Sequence, residues 1–185
     1  TSRFLDKYNL DMSNIGKIIL VTSHRRENIG TGFKNICNSL LAISINNPEI
    51  EIIFPVHLNP NIRDVAFQLL DDRKNIFLLD PIDYEEFVFL LSHSYLVLTD
   101  SGGVQEEAPS LGKPVLVLRD STERPEGVNS GTAIMVGTDP NIIVKETESL
   151  LYDESRYRQI AHNTNPYGDG TASKNIVEIL KTIIC

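Results

Sequence analysis

The sequence predicts an α/β protein with a Rossmann-like, six-stranded parallel sheet and helices on both faces. Six short runs of β-branched and aliphatic residues alternate with segments of helical periodicity, as expected of repeated βαβ units. These runs are almost continuously apolar, which is typical of strands that are buried on both faces. Polar loops follow several of the runs, at the edge of the sheet where ligands bind in such folds. The pattern therefore predicts both the fold class and the edge that carries a site.

The apolar runs and the periodic segments set the order of the elements. Asp83 is expected to cap one helix, because an aspartate at this position accepts hydrogen bonds from free backbone N–H groups. Gly112 is expected to end another helix. Strands are predicted at 17–22, 51–56, 75–79, 95–98, 114–118 and 132–136. Helices are predicted at 29–45, 61–70, 83–92, 104–111, 139–152, 154–161 and 172–184.

Composition and charge limit the class of protein. The 185 residues, 41% apolar and 23% charged, are enough for one large globular domain or a domain with an appendage. The net charge of −8 argues against a nucleic-acid-binding surface, and it means that an anionic ligand must be held by local groups. No apolar run approaches a membrane span, and no signal peptide is visible. We therefore expect neither a nucleic acid nor a membrane as a partner.

The cysteines and the first residues of the chain carry weaker signals. Cys37 and Cys185 make neither a disulfide framework nor a metal-ligand cluster, which fits a reducing cytoplasm. Residues 1–16 are polar and irregular, and we interpret them as a linker that arrives from an upstream segment. The apolar residues of this linker that are candidates for anchoring it are Leu5, Tyr8 and Leu10.

The stretch 95–107 is the most informative part of the sequence. An apolar run leads into Ser101-Gly102-Gly103 and then into good helix formers. Two adjacent glycines allow positive φ and a close approach of ligand to backbone, and the start of the following helix favours an anion such as phosphate. Ser101 can donate to a phosphate oxygen or cap the helix, and Glu107 is placed for the hydroxyls of a ribose. The alternative is an ordinary tight turn followed by an ordinary first helical turn.

Five loops that follow predicted strands fall on the same edge of the sheet. His24 directly follows the first strand, and a histidine there can protonate a leaving phosphate near neutral pH. Its alternative role is to cap the next helix. Arg25 and Arg26 are either phosphate ligands or surface charges. The five loops are 23–28, 57–60, 80–83, 99–103 and 119–127.

Three further residues are weaker candidates for the same site. His57 and Arg124 lie in equivalent loops, where each taken alone is more often a bystander. Phe87 belongs to a strongly apolar helix, so that it can stack on a base or pack into the core. The sequence contains no zinc-ligand spacing, Walker loop, hydrolase elbow or G-x-G-x-x-G fingerprint. No metal site is expected.

Several longer motifs occur in an order that resembles the C-terminal half of non-hydrolysing UDP-N-acetylglucosamine 2-epimerases. The resemblance covers nearly the whole chain from Lys17 onward, and it implies the C-terminal lobe of a two-lobed GT-B fold. It further implies boundaries at 17–165 for a UDP-binding lobe and at 166–185 for a crossover segment and helix, with residues 1–16 arriving from an N-terminal lobe. The motifs are His-Arg-Arg-Glu-Asn at 24–28, Pro-Val-His-Leu-Asn-Pro at 55–60, Thr-Asp-Ser-Gly-Gly-Val-Gln-Glu-Glu-Ala-Pro-Ser-Leu-Gly-Lys-Pro at 99–114, Thr-Glu-Arg-Pro-Glu-Gly at 122–127 and Asn-Pro-Tyr-Gly-Asp-Gly at 165–170.

The resemblance also implies a role for each candidate residue. Ser101 and the glycine amides hold phosphate oxygens, Glu107 takes the ribose hydroxyls, and the backbone near Ile82 frames the uracil together with the ring of Phe87. Arg25 and His57 match positions near a second, activating UDP-N-acetylglucosamine in some bacterial members. The residues implied to hold the nucleotide-sugar are His24, Phe87, Ser101, Gly102, Gly103, Glu107 and Arg124, with Ile82 through its main chain.

The implied reaction interconverts UDP-N-acetylglucosamine and UDP-N-acetylmannosamine. It removes the proton at C2, expels UDP from C1 and adds UDP back with the opposite configuration at C2. No cofactor is needed, His24 assists the departing diphosphate, and the acids that exchange the C2 proton belong to the N-terminal lobe. The implied complete protein is a homodimer. The rival hypotheses are a lobe of a GT-B glycosyltransferase and a non-catalytic sugar-nucleotide sensor.

Overall fold

The computed structural model describes Tyr8 and residues 16–184. The predictions for Leu5, Leu10 and Cys185 lie outside these residues. Tyr8 is half-buried and packs against the apolar cluster on one face of the sheet, as expected of an anchor. Within the described part of the chain, every helix is too short or too polar to span a bilayer.

The fold is built on six parallel strands in the order β3-β2-β1-β4-β5-β6. The chain runs outward from β1 to β3 and then returns to the other side of β1 to continue from β4 to β6. This reversal leaves a crevice at the carboxyl ends of β1 and β4, which is the usual ligand position in doubly wound sheets. The strands are β1 (Ile18–Thr22), β2 (Glu51–Pro55), β3 (Ile76–Leu79), β4 (Leu96–Thr99), β5 (Val115–Val117) and β6 (Ala133–Met135).

Helices cover both faces of the sheet because successive strand residues point to opposite sides. In β1, for example, Ile19 and Val21 join one apolar cluster, whereas Ile18 and Leu20 join the other. Both sets are buried, which explains why the strands are continuously apolar in sequence. The helices are α1 (Thr31–Asn46), α2 (Pro60–Leu70), α3 (Tyr84–His93), α4 (Gly102–Ser110), α5 (Pro125–Asn129), α6 (Pro140–Tyr152), α7 (Glu154–Ala161) and α8 (Ala172–Ile184).

The predicted fold class and the order of elements are confirmed, with every predicted boundary within two residues of the observed one. Two loops contain short helices that the sequence did not indicate. A single 3-10 turn, Arg26–Asn28, lies within the 23–28 loop, and α5 begins inside the 119–127 loop. Pro125 starts α5 because its fixed φ suits the first helical position and its missing N–H is not needed there.

The final helix, α8, has no part in the core. Residues 172–183 are all exposed, including a set of large aliphatic side chains. These apolar side chains recur at helical spacing, so that they form one side of the helix. The set consists of Ile176, Val177, Ile179, Leu180 and Ile183.

Candidate functional site

An open cleft of about 380 Å³ lies at the carboxyl edge of the sheet, where the loops after β1, β2, β3 and β4 meet. It spans the point at which the strand order reverses, as the fold predicts. The predicted edge of the sheet thus carries a cleft in which loops that are distant in the chain meet. The predicted site residues that line the cleft are His24, His57, Ile82, Phe87 and Ser101.

One end of the cleft is apolar and is framed by Pro55, Pro81, Ile82 and Phe87. Phe87 packs against the core and also lines the cleft, so packing into the core is confirmed and stacking on a base stays a prediction. The helix that carries it, α3, begins with a capping box. Asp83 Oδ1 accepts a hydrogen bond from Glu86 N (2.8 Å), and Asp83 N donates to Glu86 Oε2 (3.3 Å). This cap fixes the first turn of α3 against the cleft.

The other end of the cleft is formed by the turn from β4 into α4. Ser101 is the N-cap residue of α4, but its hydroxyl does not cap the helix. Instead, Ser101 N donates to Thr99 Oγ1 (2.9 Å), and this oxygen also lies 2.6 Å from Thr22 Oγ1 on the neighbouring strand. The capping interpretation of Ser101 is therefore wrong. Its hydroxyl has no hydrogen bond within residues 16–184 and remains available to a ligand in the cleft.

The two glycines of the turn differ in the space around their α-carbons, and neither has the backbone conformation that was predicted. Both lie in α4, and neither has positive φ, because the helix starts at Gly102. A β-carbon on Gly102 would lie 2.7 Å from Glu123 Oε1, whereas one on Gly103 would meet only Glu107 Oε1, at 3.9 Å. Gly102 thus makes room for Glu123, and Gly103 leaves the first turn of α4 open.

Glu107 lies further along α4, next to the cleft rather than within its lining. Tyr84, at the start of α3, donates from its Oη to Glu107 Oε2 at 3.4 Å. Tyr84 lines the cleft and is 67% exposed. The pair therefore places a carboxylate and a hydroxyl together at the rim, between the apolar end and the start of α4.

His24 and His57 face each other across the mouth of the cleft. Their rings are stacked, with centroids 5.6 Å apart and an interplanar angle of 14°. His57 Nδ1 accepts a hydrogen bond from Asn59 N (3.1 Å), which leaves the other ring nitrogen of His57 for a ligand. The next helix, α1, is capped by Gly30 and not by His24. The capping interpretation of His24 is therefore wrong.

The arginines at the rim are paired with carboxylates. Arg25 Nη2 lies 3.0 Å from Glu123 Oε1, and Arg124 Nε bonds Glu106 Oε1. Arg26, by contrast, is exposed and makes no ion pair in the described part of the chain. Neither Arg25 nor Arg124 belongs to the lining of the cleft, and each must exchange a protein carboxylate for a ligand anion to bind it.

An arginine that the sequence did not single out, Arg119, organises this rim, and its side chain is only 10% exposed. Arg119 Nε lies 2.6 Å from Glu27 Oε1, and Arg119 Nη1 bonds Glu123 Oε2. Burial alone would lower the pKa of Arg119, but these hydrogen bonds and charges outweigh it and raise the pKa. The pKa of Glu123 is lowered, first by its own backbone N–H and then by Arg119 and Arg25. Glu123 therefore remains an anion beside Gly102.

The 165–170 motif is attached to the Arg124 loop. Tyr167 Oη accepts from Gly127 N (3.0 Å) and donates to the carbonyl oxygen of Arg124 (3.4 Å). Asn165 Nδ2 donates to Ser110 Oγ at the end of α4 (2.8 Å). Burial raises the pKa of Tyr167, which keeps its hydroxyl protonated. The segment that leads to α8 is thus fixed to two elements of the site.

No group of three or more His, Cys, Asp or Glu side chains is placed to hold a metal ion among the residues that the structure describes. Cys37 is buried, and burial raises its pKa to about 12, so it is an unreactive core residue.

Comparison with known proteins identifies the family of this chain. Residues 2–181 match the model of the family described as UDP-N-acetylglucosamine 2-epimerase. This chain belongs to that family. A curated UDP-N-acetylglucosamine 2-epimerase from Yersinia pestis is 55% identical over 165 residues, which are 89% of this chain and 44% of that protein. The chain thus spans less than half the length of this relative.

Solved structures of the epimerase family share the fold. A UDP-GlcNAc 2-epimerase from Neisseria meningitidis bound to UDP-GlcNAc is 46% identical with a TM-score of 0.91, covering 98% of this chain and 48% of that one. The S. aureus MnaA–UDP structure is 42% identical with a TM-score of 0.89, and the match covers 100% of this chain and 49% of that one. A sucrose-phosphate synthase from Thermosynechococcus elongatus shares only the fold, at 14% identity and a TM-score of 0.66. The predicted resemblance to this epimerase family is confirmed.

Proposed function

We propose that the complete protein is a non-hydrolysing UDP-N-acetylglucosamine 2-epimerase and that this chain is its UDP-binding lobe. The observation that carries the proposal is the cleft at the reversal of strand order, where an apolar end and an open helix N-terminus lie together. A nucleoside diphosphate has the same two parts, a flat base and an anionic tail. Membership of the epimerase family supports a sugar carried on UDP as the ligand.

The residues of the cleft match successive parts of UDP. The uracil lies at the apolar end, between Phe87 and the backbone of Ile82. Glu107 accepts hydrogen bonds from the ribose hydroxyls, next to Tyr84. The diphosphate lies at the start of α4. The Ser101 hydroxyl, which does not cap the helix, donates to it together with the amides of Gly102 and Gly103. Arg124 binds it from the rim.

His24 acts on the bond that breaks. The reaction removes the C2 proton and expels UDP from C1, so negative charge develops on the diphosphate oxygen that leaves. An imidazole at the mouth of the cleft can stabilise this charge or donate a proton to the oxygen. The acids that exchange the C2 proton come from the N-terminal lobe. No cofactor takes part.

We propose that Arg25 and His57, next to His24, form the activator position. His57 stacks on the His24 ring, and Arg25 is held by Glu123. A second nucleotide-sugar at this position would compete with Glu123 for Arg25 and contact the ring that stacks on His24. Binding of the activator would therefore directly change the surroundings of the His24 ring.

We propose that the chain is divided into three parts. Residues 17–165 form the UDP-binding lobe, 1–16 arrive from the N-terminal lobe, and 166–185 return toward it. The exposed apolar side of α8 supports this return, because it requires a covering surface outside the core described here. We also propose that the complete protein works in the cytoplasm as a homodimer.

The activity is tested by incubating the full-length protein with UDP-N-acetylglucosamine and following the products by NMR. UDP-N-acetylmannosamine should appear without any acceptor and should approach an equilibrium mixture. A glycosyltransferase would instead release UDP only when an acceptor sugar is added. A non-catalytic sensor would bind UDP and leave the sugar unchanged. Either of these two results would contradict the proposed epimerase.

Replacing Ser101 with alanine should weaken UDP binding by about 1.5–3 kcal/mol, because the hydroxyl is proposed to donate to a charged phosphate oxygen. Since this hydroxyl does not cap α4, the substitution should leave the melting temperature nearly unchanged. Isothermal calorimetry and thermal unfolding of the full-length protein measure the two quantities. The matched control is Ser110→Ala at the far end of α4. Unchanged UDP affinity in Ser101→Ala would place the phosphate elsewhere.

Replacing Glu107 with alanine should weaken binding of UDP more than binding of inorganic diphosphate. The reason is that its proposed partner is the ribose, which the second ligand lacks. Glu107→Gln keeps the shape and one acceptor and should lie between wild type and alanine. Calorimetric titration with both ligands checks this. Equal losses for UDP and diphosphate would remove Glu107 from the ribose site.

A further inference from the structure

A buried carboxylate connects the two segments that carry His24 and Ser101. Asp100 is 0% exposed and accepts hydrogen bonds from four residues of the loop after β1. Its backbone carbonyl also accepts from Arg25 Nε at 3.2 Å. The donors to the carboxylate are Ser23 Oγ (2.8 Å), His24 N (3.0 and 3.1 Å), Arg25 N (3.0 Å) and Asn28 Nδ2 (3.0 Å).

The position of Asp100 in the fold explains what these bonds hold together. It follows the last residue of β4, whose neighbour β1 leads directly into the His24 loop. Ser101 comes next in the chain. Asn28 Nδ2 also donates to the carbonyl oxygen of Leu118 (3.0 Å), so the loop that leads to Arg124 is tied to the same cluster. One side chain thus sets the spacing between His24 and the start of α4.

The two oxygens of the carboxylate have different tasks. Oδ2 accepts from Ser23, Arg25 and Asn28 and shares the His24 amide, so it anchors the loop. Oδ1 accepts only the His24 amide among the described residues, and it lies 3.8 Å from His24 Nδ1. The imidazole therefore turns Nδ1 toward Asp100 and leaves Nε2 as the nitrogen that can reach a ligand. The His57 ring stacks on it.

We infer that Asp100 is a positioning residue that holds the His24 imidazole in register with the phosphate cradle at Ser101. The inference rests on the proposed function of His24 in the departure of UDP. Asp100 touches neither the proposed nucleotide nor the reacting atoms, and it acts through His24. A proton donor displaced by a fraction of an ångström loses much of its effect, so the loss should fall on turnover rather than on ligand binding.

Asp100→Asn separates the two tasks of the carboxylate. The amide oxygen can take the place of Oδ2 and keep the loop anchored, while the NH2 group replaces Oδ1 and can no longer accept from His24. In the full-length protein, we expect kcat for epimerisation to fall about tenfold or more, and KM to change less than about twofold. Turnover is expressed per UDP-binding site counted by calorimetry, so unfolded protein does not contribute. Asp153→Asn, at the start of α7, is the matched control.

A double-mutant cycle distinguishes positioning of His24 from a general structural role. If Asp100 acts through His24, then Asp100→Asn should lower kcat in the wild-type background and change it less than about twofold in a His24→Asn background. Equal fold-losses in the two backgrounds would overturn the inference. If Asp100→Asn does not fold, Asn28→Ala takes its place, because it removes one donor to the same carboxylate. Its effect on kcat is then compared between the wild-type and the His24→Asn backgrounds.

Crystal structures with UDP test Asp100 independently of the reaction. The His24 ring should move relative to the terminal phosphate in Asp100→Asn while Ser101 keeps its place. An unmoved ring would overturn the inference even in a protein with no epimerase activity. A wild-type protein without epimerase activity would contradict the proposed function alone, so the two failures are distinguishable.

Discussion

Replacing His24 with asparagine in the full-length protein is expected to lower kcat about 100-fold or more while KM stays nearly constant. Asparagine keeps a hydrogen-bonding side chain of similar reach but cannot deliver a proton to the diphosphate oxygen. The interaction that it loses is made mainly in the transition state, so the effect appears in kcat. Steady-state kinetics in both directions of the epimerisation measure it.

The control for this substitution is a histidine outside the cleft. His162 is exposed, its Nδ1 lies 2.8 Å from the carbonyl oxygen of Arg158, and His162→Asn should leave kcat unchanged. His57→Asn is informative as well, because it removes the ring that stacks on His24 without removing the proposed donor. A His24→Asn protein that differs only in KM would make His24 a binding residue and leave the departure of UDP without a donor in this lobe.

The 185-residue chain by itself is expected to fold and bind UDP weakly, yet to catalyse no exchange at C2. Folding follows from a sheet that is covered on both faces by buried apolar side chains. Binding should be weak because the cleft is open on the side that a second lobe would cover, so water reaches the sugar. Two further carboxylates in the loops of the rim, Glu27 and Glu126, have no clear claim on the C2 proton, and Glu27 is paired with Arg119.

Incubation with UDP-N-acetylglucosamine in deuterated water tests this division between the lobes. The full-length protein should introduce deuterium at C2, and the 185-residue chain should not. Calorimetry on the same sample should still detect UDP, which shows that the site is folded. Deuterium at C2 with the chain alone would mean that this lobe carries its own base, and the acids assigned to the N-terminal lobe would then be unnecessary.

Local pattern was sufficient to predict the fold and the edge of the sheet that carries the cleft. A strand buried on both faces must be apolar along its whole length, so each strand was visible as a run. Asp83 acts on the next turn of the chain, and its capping box was therefore predictable from neighbouring residues. The rule that ligands bind at the carboxyl edge of a parallel sheet then brought His24, His57 and Ser101 to one cleft.

The partners of the polar side chains were decided only by the tertiary structure. Asp100 and His24 are 76 residues apart, Arg25 and Glu123 are 98 apart, and Tyr167 and Gly127 are 40 apart. No local periodicity reports such contacts. Ser101 at a helix start can cap in many proteins, but here Thr99 takes its amide, and its hydroxyl stays free for a ligand. The sequence by itself determined which edge of the sheet carries the cleft. Only the packing of loops from distant parts of the chain decided which donor faces which acceptor, because hydrogen bonds and ion pairs depend on positions in space rather than on spacing along the chain.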